Sequence, residues 1–167
     1  MLFSGQETAV VRAAGCAVVT VSDTRTAETD HSGKAIADAL TEAGHAVVSR
    51  TIVRDDPRAI VAAVERALAT PEVEAVVATG GSGVSRRDST PEAIAPLLEK
   101  RLDGFGELFR SLSFAEIGPA AMLSRAAAGT ARGRVIFILP GSEHAVRLAM
   151  TRLILPELGH IVAELSK

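Results

Sequence analysis

The chain has 167 residues, of which 47 % are apolar and 23 % are charged, and its net charge is −2. A chain of this length usually forms one domain with a sizeable core, and this composition excludes a disordered protein. Basic residues are scattered, and there are five Phe but no Trp or Tyr. Because single-strand binders need basic grooves and aromatic stacking platforms, we expect no nucleic-acid partner.

Redox and targeting signals favour the cytoplasm. The only cysteine, Cys16, lies in an apolar run and is expected to be a buried strand residue. A single cysteine excludes a disulfide framework within the chain and a CxxC site, which fits a reducing compartment. The N-terminus lacks the apolar core of a signal peptide, and the longest strongly apolar run, VIFIL, is too short to cross a bilayer. We expect a cytoplasmic protein without a membrane partner, with a loose leader over 1–14 and one domain over 15–167.

Strands alternate with helices in the first half of the chain. Apolar, β-branched runs predict strands at 16–22, 45–53 and 73–79. The first helix is predicted to begin near Asp30 and to end at Gly44. Its apolar face is predicted to comprise Ile36, Leu40 and Ala43. The second helix begins at Asp56 and Pro57, an N-cap followed by a first-turn proline.

The second half begins with a short helix, predicted to start at Thr90-Pro91 and to be limited by Pro96. Another short helix is expected over 103–114. Two strands follow, joined by a tight turn at Arg132-Gly133, and the second spans 134–139. A long C-terminal helix then opens, with a bend expected at Pro156. Its apolar face is predicted to comprise Val146, Met150, Leu153, Leu158, Ile161, Val162 and Leu165.

This order of elements predicts a three-layer α/β/α sandwich with a mostly parallel sheet, because βαβ units place helices on both faces. Ligands of such sheets bind beyond the carboxyl ends of the strands. The candidate positions are therefore Ser22 and Asp23, Asp55 and Asp56, the run from Thr79 to Gly83, and Pro140, Gly141 and Ser142.

The segment TGGSGVSRRDSTPE (79–92) combines features of an anion site with an acid. Gly80, Gly81 and Gly83 allow a close backbone approach to a phosphate, although an ordinary tight turn has the same composition. The spacing matches neither a Walker loop nor a dinucleotide fingerprint. Arginine side chains at 86 and 87 can neutralise phosphate oxygens, whereas Asp88 would repel them unless Mg²⁺ lies between. Alternatively, Asp88 pairs with Arg87 or caps the next helix.

Asp55 is a second candidate, because its neighbour Asp56 already has a role as N-cap. If the second and third strands are adjacent, Asp55 lies near the glycines; otherwise it is an ordinary turn acid. The segment at Pro140-Gly141-Ser142 predicts either a second anion site or a plain serine N-cap. The histidines have no metal-ligand spacing, and neither a GxSxG elbow nor a Cys–His pair is present.

Five segments together resemble the MoaB/MogA molybdenum cofactor biosynthesis family, and most closely its MoaB branch. They are VSDT (21–24), TGGSGVSRRDSTPEA (79–93), GFGELFRSLSF (104–114), AMLSRAAAG (121–129) and IFILPGS (136–142). The resemblance covers about residues 15–165, in order and with matching spacing. It implies an α/β/α fold assembled as a homotrimer or homohexamer.

The resemblance also implies an activity: adenylylation of molybdopterin with Mg-ATP, releasing pyrophosphate, before hand-off to other molybdenum cofactor enzymes. The family's two catalytic, metal-binding aspartates match Asp55 and Asp88. Its nucleotide loop matches Gly80, Gly81, Ser82 and Gly83, with Ser82 in place of the usual Thr. The remaining residues expected to bind nucleotide or molybdopterin are Ser22, Asp23, Thr79, Arg87, Glu107, Ser111, Pro140, Gly141 and Ser142.

This chemistry agrees with the absence of a nucleophile or base in the sequence. The terminal phosphate of molybdopterin is ionised at neutral pH and would itself attack, so the protein mainly positions groups and stabilises charge. Three alternatives remain: a molybdopterin carrier without activity, another phosphoanhydride enzyme on this fold, and a nicotinamide-binding domain. The missing GxGxxG argues against the last.

Overall fold

The computed structural model describes residues 12–167, so most of the predicted 1–14 leader lies outside the described residues. The last residues of that segment are anchored. Arg12 forms an ion pair with Glu74 at 2.7 Å, and Ala14 is buried while donating its N–H to Nδ1 of His45.

In the described part of the chain, six strands form one sheet: β1 (Gly15–Val21), β2 (Ala46–Val53), β3 (Ala75–Thr79), β4 (Lys100–Arg101), β5 (Ala127–Ala131) and β6 (Arg134–Leu139). Their spatial order is β2-β1-β3-β6-β5-β4. The first four in that order are parallel, whereas β5 runs antiparallel to both β6 and β4. The sheet is therefore mostly parallel with an antiparallel edge, as a mixed α/β fold often is.

Six α-helices of residues 12–167 accompany the sheet: α1 (His31–Glu42), α2 (Pro57–Ala69), α3 (Thr90–Ile94), α4 (Asp103–Ile117), α5 (Glu143–Ala149) and α6 (Leu155–Leu165). Side chains of α1, α4, α5 and α6 pack on one face of the sheet, and those of α2 and α3 pack on the other. This confirms the predicted α/β/α layers. Within residues 12–167, no helix combines the length and the apolar character needed to cross a bilayer.

Several local predictions are confirmed. Asp56 caps α2 by accepting the N–H of Ala59, and Arg132 and Gly133 form the β5–β6 turn with φ angles of 52° and 72°. Cys16 is fully buried, and burial raises the pKa of its thiol to about 12. The apolar face of the C-terminal helices lies in the core, since Val146, Met150, Leu158 and Val162 are buried and the other predicted members pack against them.

The long C-terminal helix, for which a bend at Pro156 is predicted, is interrupted just before that proline. A five-residue π-helical segment, Met150–Ile154, separates α5 from α6, and the N–H of Leu155 bonds back to the carbonyl of Met150. A proline in a helix removes one N–H and crowds the carbonyl four residues earlier. The widened turn accommodates that loss just before α6.

Other predictions about the elements were wrong. Ala43 is exposed at the end of α1, whose buried face comprises Ser32, Gly33, Ala35, Ile36 and Leu40. The helix predicted over 103–114 extends to Ile117 and ends at Gly118, where φ is 71°. Thr90 is not a helix cap but the first residue of α3, because its hydroxyl bonds the carbonyl of Gly80 instead.

Candidate functional site

The carboxyl ends of β1, β3 and β6 meet at one edge of the sheet. The N–H of Gly80 donates to the carbonyl of Leu139 at 3.1 Å, so the chain leaving β3 is tied to the end of β6. On its other side, Gly80 lies over the end of β1, where a Cβ would come within 2.2 Å of the Val21 carbonyl oxygen. Only glycine allows the segment to cross the sheet edge this closely.

The glycine loop, residues 80–83, is held by hydroxyl groups. Gly80 and Gly81 have φ angles of 96° and 63°, in the left-handed region that favours glycine. The buried Thr90 donates its hydroxyl to Gly80 O at 2.8 Å and its N–H to Gly81 O at 2.9 Å. The hydroxyl of Ser82, also buried, faces the Leu139 carbonyl at 3.4 Å. The loop is thereby fixed to both β6 and α3.

Asp55 lies against this loop, although the predicted reason was wrong. β2 and β3 are not adjacent, because β1 lies between them. Asp55 nevertheless reaches across: its Oδ1 accepts the Ser89 hydroxyl at 2.8 Å, and its Oδ2 lies 2.9 Å from the position that a Cβ on Gly81 would take. The backbone N–H of Asp55 donates to Oδ1 of Asp23 at 3.1 Å.

Asp88 closes a turn beside the glycine loop. Its Oδ2 accepts the N–H of Ser85 at 2.8 Å, while its own N–H donates to the Ser85 carbonyl at 3.1 Å. A Cβ on Gly83 would lie 2.8 Å from the same carboxylate oxygen. Asp88 therefore neither pairs with Arg87 nor caps α3. It is held directly against the glycine loop.

Arg87 forms an ion pair with Asp23 across the front of the site, with NH2 and Oδ2 separated by 2.6 Å. The guanidinium is 71 % exposed, and an exposed pair of this kind contributes only about 0–1 kcal/mol. Both residues line a cavity of about 600 Å³ together with Arg54, Asp55, Asp56 and Ala59. Because the pair is weak, Arg87 can exchange Asp23 for an anionic ligand at little cost.

The segment after β6 forms the other wall. The carbonyl of Pro140 accepts the Thr79 hydroxyl at 2.8 Å. A Cβ on Gly141 would lie 3.3 Å from Cα of Gly80, so the two loops are in close contact. Ser142 caps α5 by accepting the N–H of Ala145, as the plain N-cap interpretation predicts.

A buried carboxylate, Asp30, supports this wall from behind. Its side chain accepts hydrogen bonds from the N–H of Gly33 at 2.9 Å, from Thr20 at 2.8 Å and from Arg50 at 3.1 Å. Burial alone would raise the pKa of Asp30, but these hydrogen bonds and the Arg50 charge outweigh it and lower the pKa. Arg25 lies 3.8 Å from the same carboxylate.

Arg25 and Ser32 connect this network to the site. Both donate to the carbonyl of Gly141, at 3.1 Å and 2.7 Å. The Ser22 hydroxyl accepts the N–H groups of Thr24 and Arg25, which sets the path of the loop after β1. The network therefore positions the loops that follow β1 and β6.

Two predicted site residues lie elsewhere. Glu107 and Ser111 are exposed on α4 and make none of these contacts. Conversely, the positions of the strand ends do not indicate the residues that support the loops, namely Arg25, Asp30, Ser89 and Thr90. Asp30 and Thr90 were noticed only as helix starts, because an N-cap and a buried hydrogen-bond hub use the same residue types.

The donor set at this edge suits Mg²⁺ shared with phosphates. No group of three or more His, Cys, Asp or Glu within residues 12–167 is arranged to hold a metal by protein ligands alone. Asp55 and Asp88 each use one carboxylate oxygen within the protein, Oδ1 and Oδ2 respectively. The other oxygens of these two carboxylates are the hard ligands that Mg²⁺ takes alongside substrate phosphates.

Fold and site define a class: an α/β/α protein in which a glycine loop and two carboxylates meet at the carboxyl edge of a mostly parallel sheet. Residues 17–160 match the family described as probable molybdopterin binding domain. The chain is 53 % identical over 153 residues to molybdenum cofactor biosynthesis protein B of Bacillus cereus, covering 91 % of this chain and 90 % of that protein. The corresponding protein of Bacillus subtilis is 50 % identical over the same length and share of each chain.

Comparison with solved structures agrees with this family match. A crystal structure of a molybdenum cofactor biosynthesis protein B has a TM-score of 0.92 and 51 % identity, covering 95 % of this chain and 99 % of that one. The tungsten cofactor synthesizing protein MoaB of Pyrococcus furiosus has a TM-score of 0.84 and 38 % identity, with 93 % and 99 % covered. The chain belongs to the probable molybdopterin-binding domain family, and its resemblance to MoaB/MogA proteins is confirmed.

Proposed function

We propose that this chain, a member of a family that serves molybdenum cofactor biosynthesis, adenylylates molybdopterin with Mg-ATP and releases pyrophosphate. The observation that carries the proposal is the position of Asp55 and Asp88. Ser89 holds the first and the Ser85 N–H holds the second, so both carboxylates lie against one glycine loop. Phosphoryl-type transfer depends mainly on positioned groups and charge stabilisation, which this arrangement can supply.

The glycine loop is suited to bind the phosphates of ATP. The N–H groups of Gly83 and Val84 donate to no group within residues 12–167, so they remain available to a ligand. Successive free backbone N–H groups form an anion-binding nest. Arg87, released from its weak pair with Asp23, adds a cation at the mouth of the cavity.

In the proposed reaction, an oxygen of the molybdopterin phosphate attacks the α-phosphorus of ATP. A new P–O bond forms as the bond between the α-phosphorus and its bridging oxygen breaks, and the electron pair leaves with pyrophosphate. No proton needs to be removed from the attacking phosphate. Asp55 and Asp88 would hold Mg²⁺, which supplies charge neutralisation at the phosphates when bound. The protein contributes by positioning the two substrates and by stabilising the charge of the transition state with preorganised hydrogen-bond donors.

The proposal also includes the assembly and the location of the protein. Leu108, Phe114, Ile117, Met122 and Leu123 are large apolar side chains that are more than half exposed on α4 and the segment after it. Apolar surface of this kind is typical of interfaces and supports self-association, whereas a homotrimer or homohexamer is what the family resemblance implies. We propose that residues 15–167 act as one molybdopterin-binding domain in the cytoplasm and hand the product to other molybdenum cofactor enzymes.

The experiment that tests the function measures all products from Mg-ATP, with and without molybdopterin. The proposal predicts pyrophosphate and adenylylated molybdopterin in equal amounts, only when both substrates are present. Bound molybdopterin without pyrophosphate release would identify a carrier instead. Nucleotide hydrolysis that does not need molybdopterin would identify a different phosphoanhydride enzyme.

A further inference from the structure

The segment AMLSRAAAG (121–129) supplies no residue to the proposed mechanism. Arg125 within this segment nevertheless forms hydrogen bonds with the glycine loop. Its backbone N–H donates to Ser82 O at 3.3 Å, and its Nε donates to Gly83 O at 2.9 Å. A further guanidinium nitrogen, NH2, donates to Asp88 O at 3.4 Å. One residue thus bonds three carbonyl groups of the loop and of the turn that follows it.

The fourth contact of Arg125 is an ion pair between its NH1 and the carboxylate of Glu92, on α3. The hydrogen bond from Arg125 lowers the pKa of Glu92. The guanidinium is therefore held at both ends of the segment 82–92. Only a planar group with five N–H donors can make these contacts together, and lysine lacks that geometry.

Arg125 is itself held from behind by α4. Arg110 donates to Ala126 O at 2.8 Å and to Ser124 O at 3.5 Å. The N–H of the buried Ala126 donates to the Ser124 hydroxyl at 3.3 Å. The backbone on both sides of Arg125 is therefore held in place, and the guanidinium of Arg125 has defined hydrogen-bond acceptors in the loop.

The carbonyls that Arg125 binds determine where the neighbouring N–H groups point. In a trans peptide, the C=O of one residue and the N–H of the next are directed to opposite sides. The bonds to Ser82 O and Gly83 O therefore turn the N–H groups of Gly83 and Val84 away from Arg125. Neither N–H group has a hydrogen-bond partner in the described part of the chain.

We infer that Arg125 is a positioning residue that presents the N–H groups of Gly83 and Val84 to the substrate phosphates and sets the position of Asp88. This inference rests on the proposed adenylyl transfer at the same site. Arg125 acts through the loop and is not a catalytic residue.

The kinetic test compares Arg125→Lys and Arg125→Ala with the matched control Arg132→Gln. Arg132 pairs with Glu65 near the end of β6 that is opposite to the glycine loop. The Arg132→Gln variant therefore also loses a guanidinium–carboxylate pair, but one that lies far from the loop. The expected result for both Arg125 variants is a fall in kcat on the order of 10-fold to 100-fold, as for a misplaced reacting group. Methylguanidinium should restore part of the kcat of Arg125→Ala but none of that of Asp88→Asn. Unchanged kcat in both Arg125 variants would overturn the inference.

A second test does not depend on turnover. The chain has no Trp or Tyr, and Val84 is 67 % exposed, so Val84→Trp places a single fluorophore in the loop. Adding Arg125→Gln should lower its fluorescence anisotropy and weaken binding of inorganic pyrophosphate, whereas adding Arg132→Gln should change neither. If the wild type shows no turnover, the proposed function fails while this loop measurement still tests Arg125. Equal anisotropy and equal pyrophosphate affinity in all three proteins would contradict the positioning role.

Discussion

The hydroxyl of Ser89 donates to Oδ1 of Asp55 at 2.8 Å, across 34 positions of sequence. This hydrogen bond joins the loop after β2 to the residue that follows Asp88. It fixes one oxygen of the Asp55 carboxylate and leaves Oδ2 facing Gly81. Ser89 therefore orients the side chain that the proposed mechanism needs for Mg²⁺ and the phosphates.

Replacing Ser89 by Ala should reduce pyrophosphate release several-fold while changing stability by only about 1 kcal/mol, the net value of one hydrogen bond. The carboxylate of Asp55 remains but loses its fixed orientation. The same change at Ser49, an exposed residue on the edge strand β2, serves as control and should leave turnover unchanged. Equal turnover in Ser89→Ala and the wild type would show that this hydrogen bond has no role in the reaction.

Replacing Gly81 by Ala tests the effect of steric crowding in the glycine loop. Replacing Gly44 in the same way tests backbone strain without crowding. Gly81 and Gly44 both have positive φ angles, 63° and 87°, but a Cβ on Gly81 would lie 2.4 Å from the Thr90 hydroxyl, and one on Gly44 would have no neighbour within 4 Å. Both Ala variants should lose about 1–2 kcal/mol of unfolding free energy through strain, with a further loss for Gly81→Ala.

Only Gly81→Ala should also lose turnover, since its Cβ displaces Thr90 and Asp55. Urea unfolding and pyrophosphate release measured on the same preparations separate the two effects. Comparable loss of turnover in Gly44→Ala would mean that reduced stability, and not loop geometry, controls activity.

The lowered pKa of Asp30 leads us to expect that the stability of the fold depends on pH. Its folded pKa is below the ordinary value of 3.8, so its ionised form stabilises the fold. That contribution is complete above the ordinary pKa and is lost as the pH falls through the folded value. At neutral pH, Asp30→Asn should cost about 3 kcal/mol, because the Arg50 charge loses its buried partner.

The difference between wild type and Asp30→Asn should then shrink as the pH is lowered below about 4, which denaturant titrations at several pH values can measure. Asp38→Asn on α1, the helix that Asp30 precedes, is the control, because Asp38 is half exposed and pairs with the exposed Lys34. A stability difference that stays constant down to pH 2 would contradict the assigned role of the Asp30 carboxylate.

The alternation of strands and helices, and the strand ends that carry the site, could be predicted from the sequence. Buried parallel strands are continuous apolar runs, and the caps at Asp56 and Ser142 are local signals. The spatial order of the strands could not be predicted, because it depends on which side each crossover connection takes. Asp55 was thus expected beside the glycine loop through adjacent strands, whereas it reaches the loop across the end of β1.

The contacts of the residues that support the glycine loop could not be predicted from the sequence either. Thr90 resembles a helix cap, but its burial beside Gly80 lets the hydroxyl bond the loop instead. Arg125 is one of 18 basic residues, and only the fold brings it 2.9 Å from the Gly83 carbonyl. The first of these contacts spans 10 residues and the second 42, and neither leaves a periodic pattern in the sequence.

The most direct test of the role of Asp88 measures pyrophosphate release by wild type and Asp88→Asn at saturating Mg-ATP and molybdopterin, together with the affinity for molybdopterin. Asn has nearly the same shape as Asp but lacks the charge that a metal requires. We expect a fall in turnover on the order of 10²-fold or more, the scale of removing one preorganised electrostatic contact, with molybdopterin still bound. Wild-type turnover in Asp88→Asn, at unchanged affinity, would contradict the assignment of Asp88 to the metal and phosphate site.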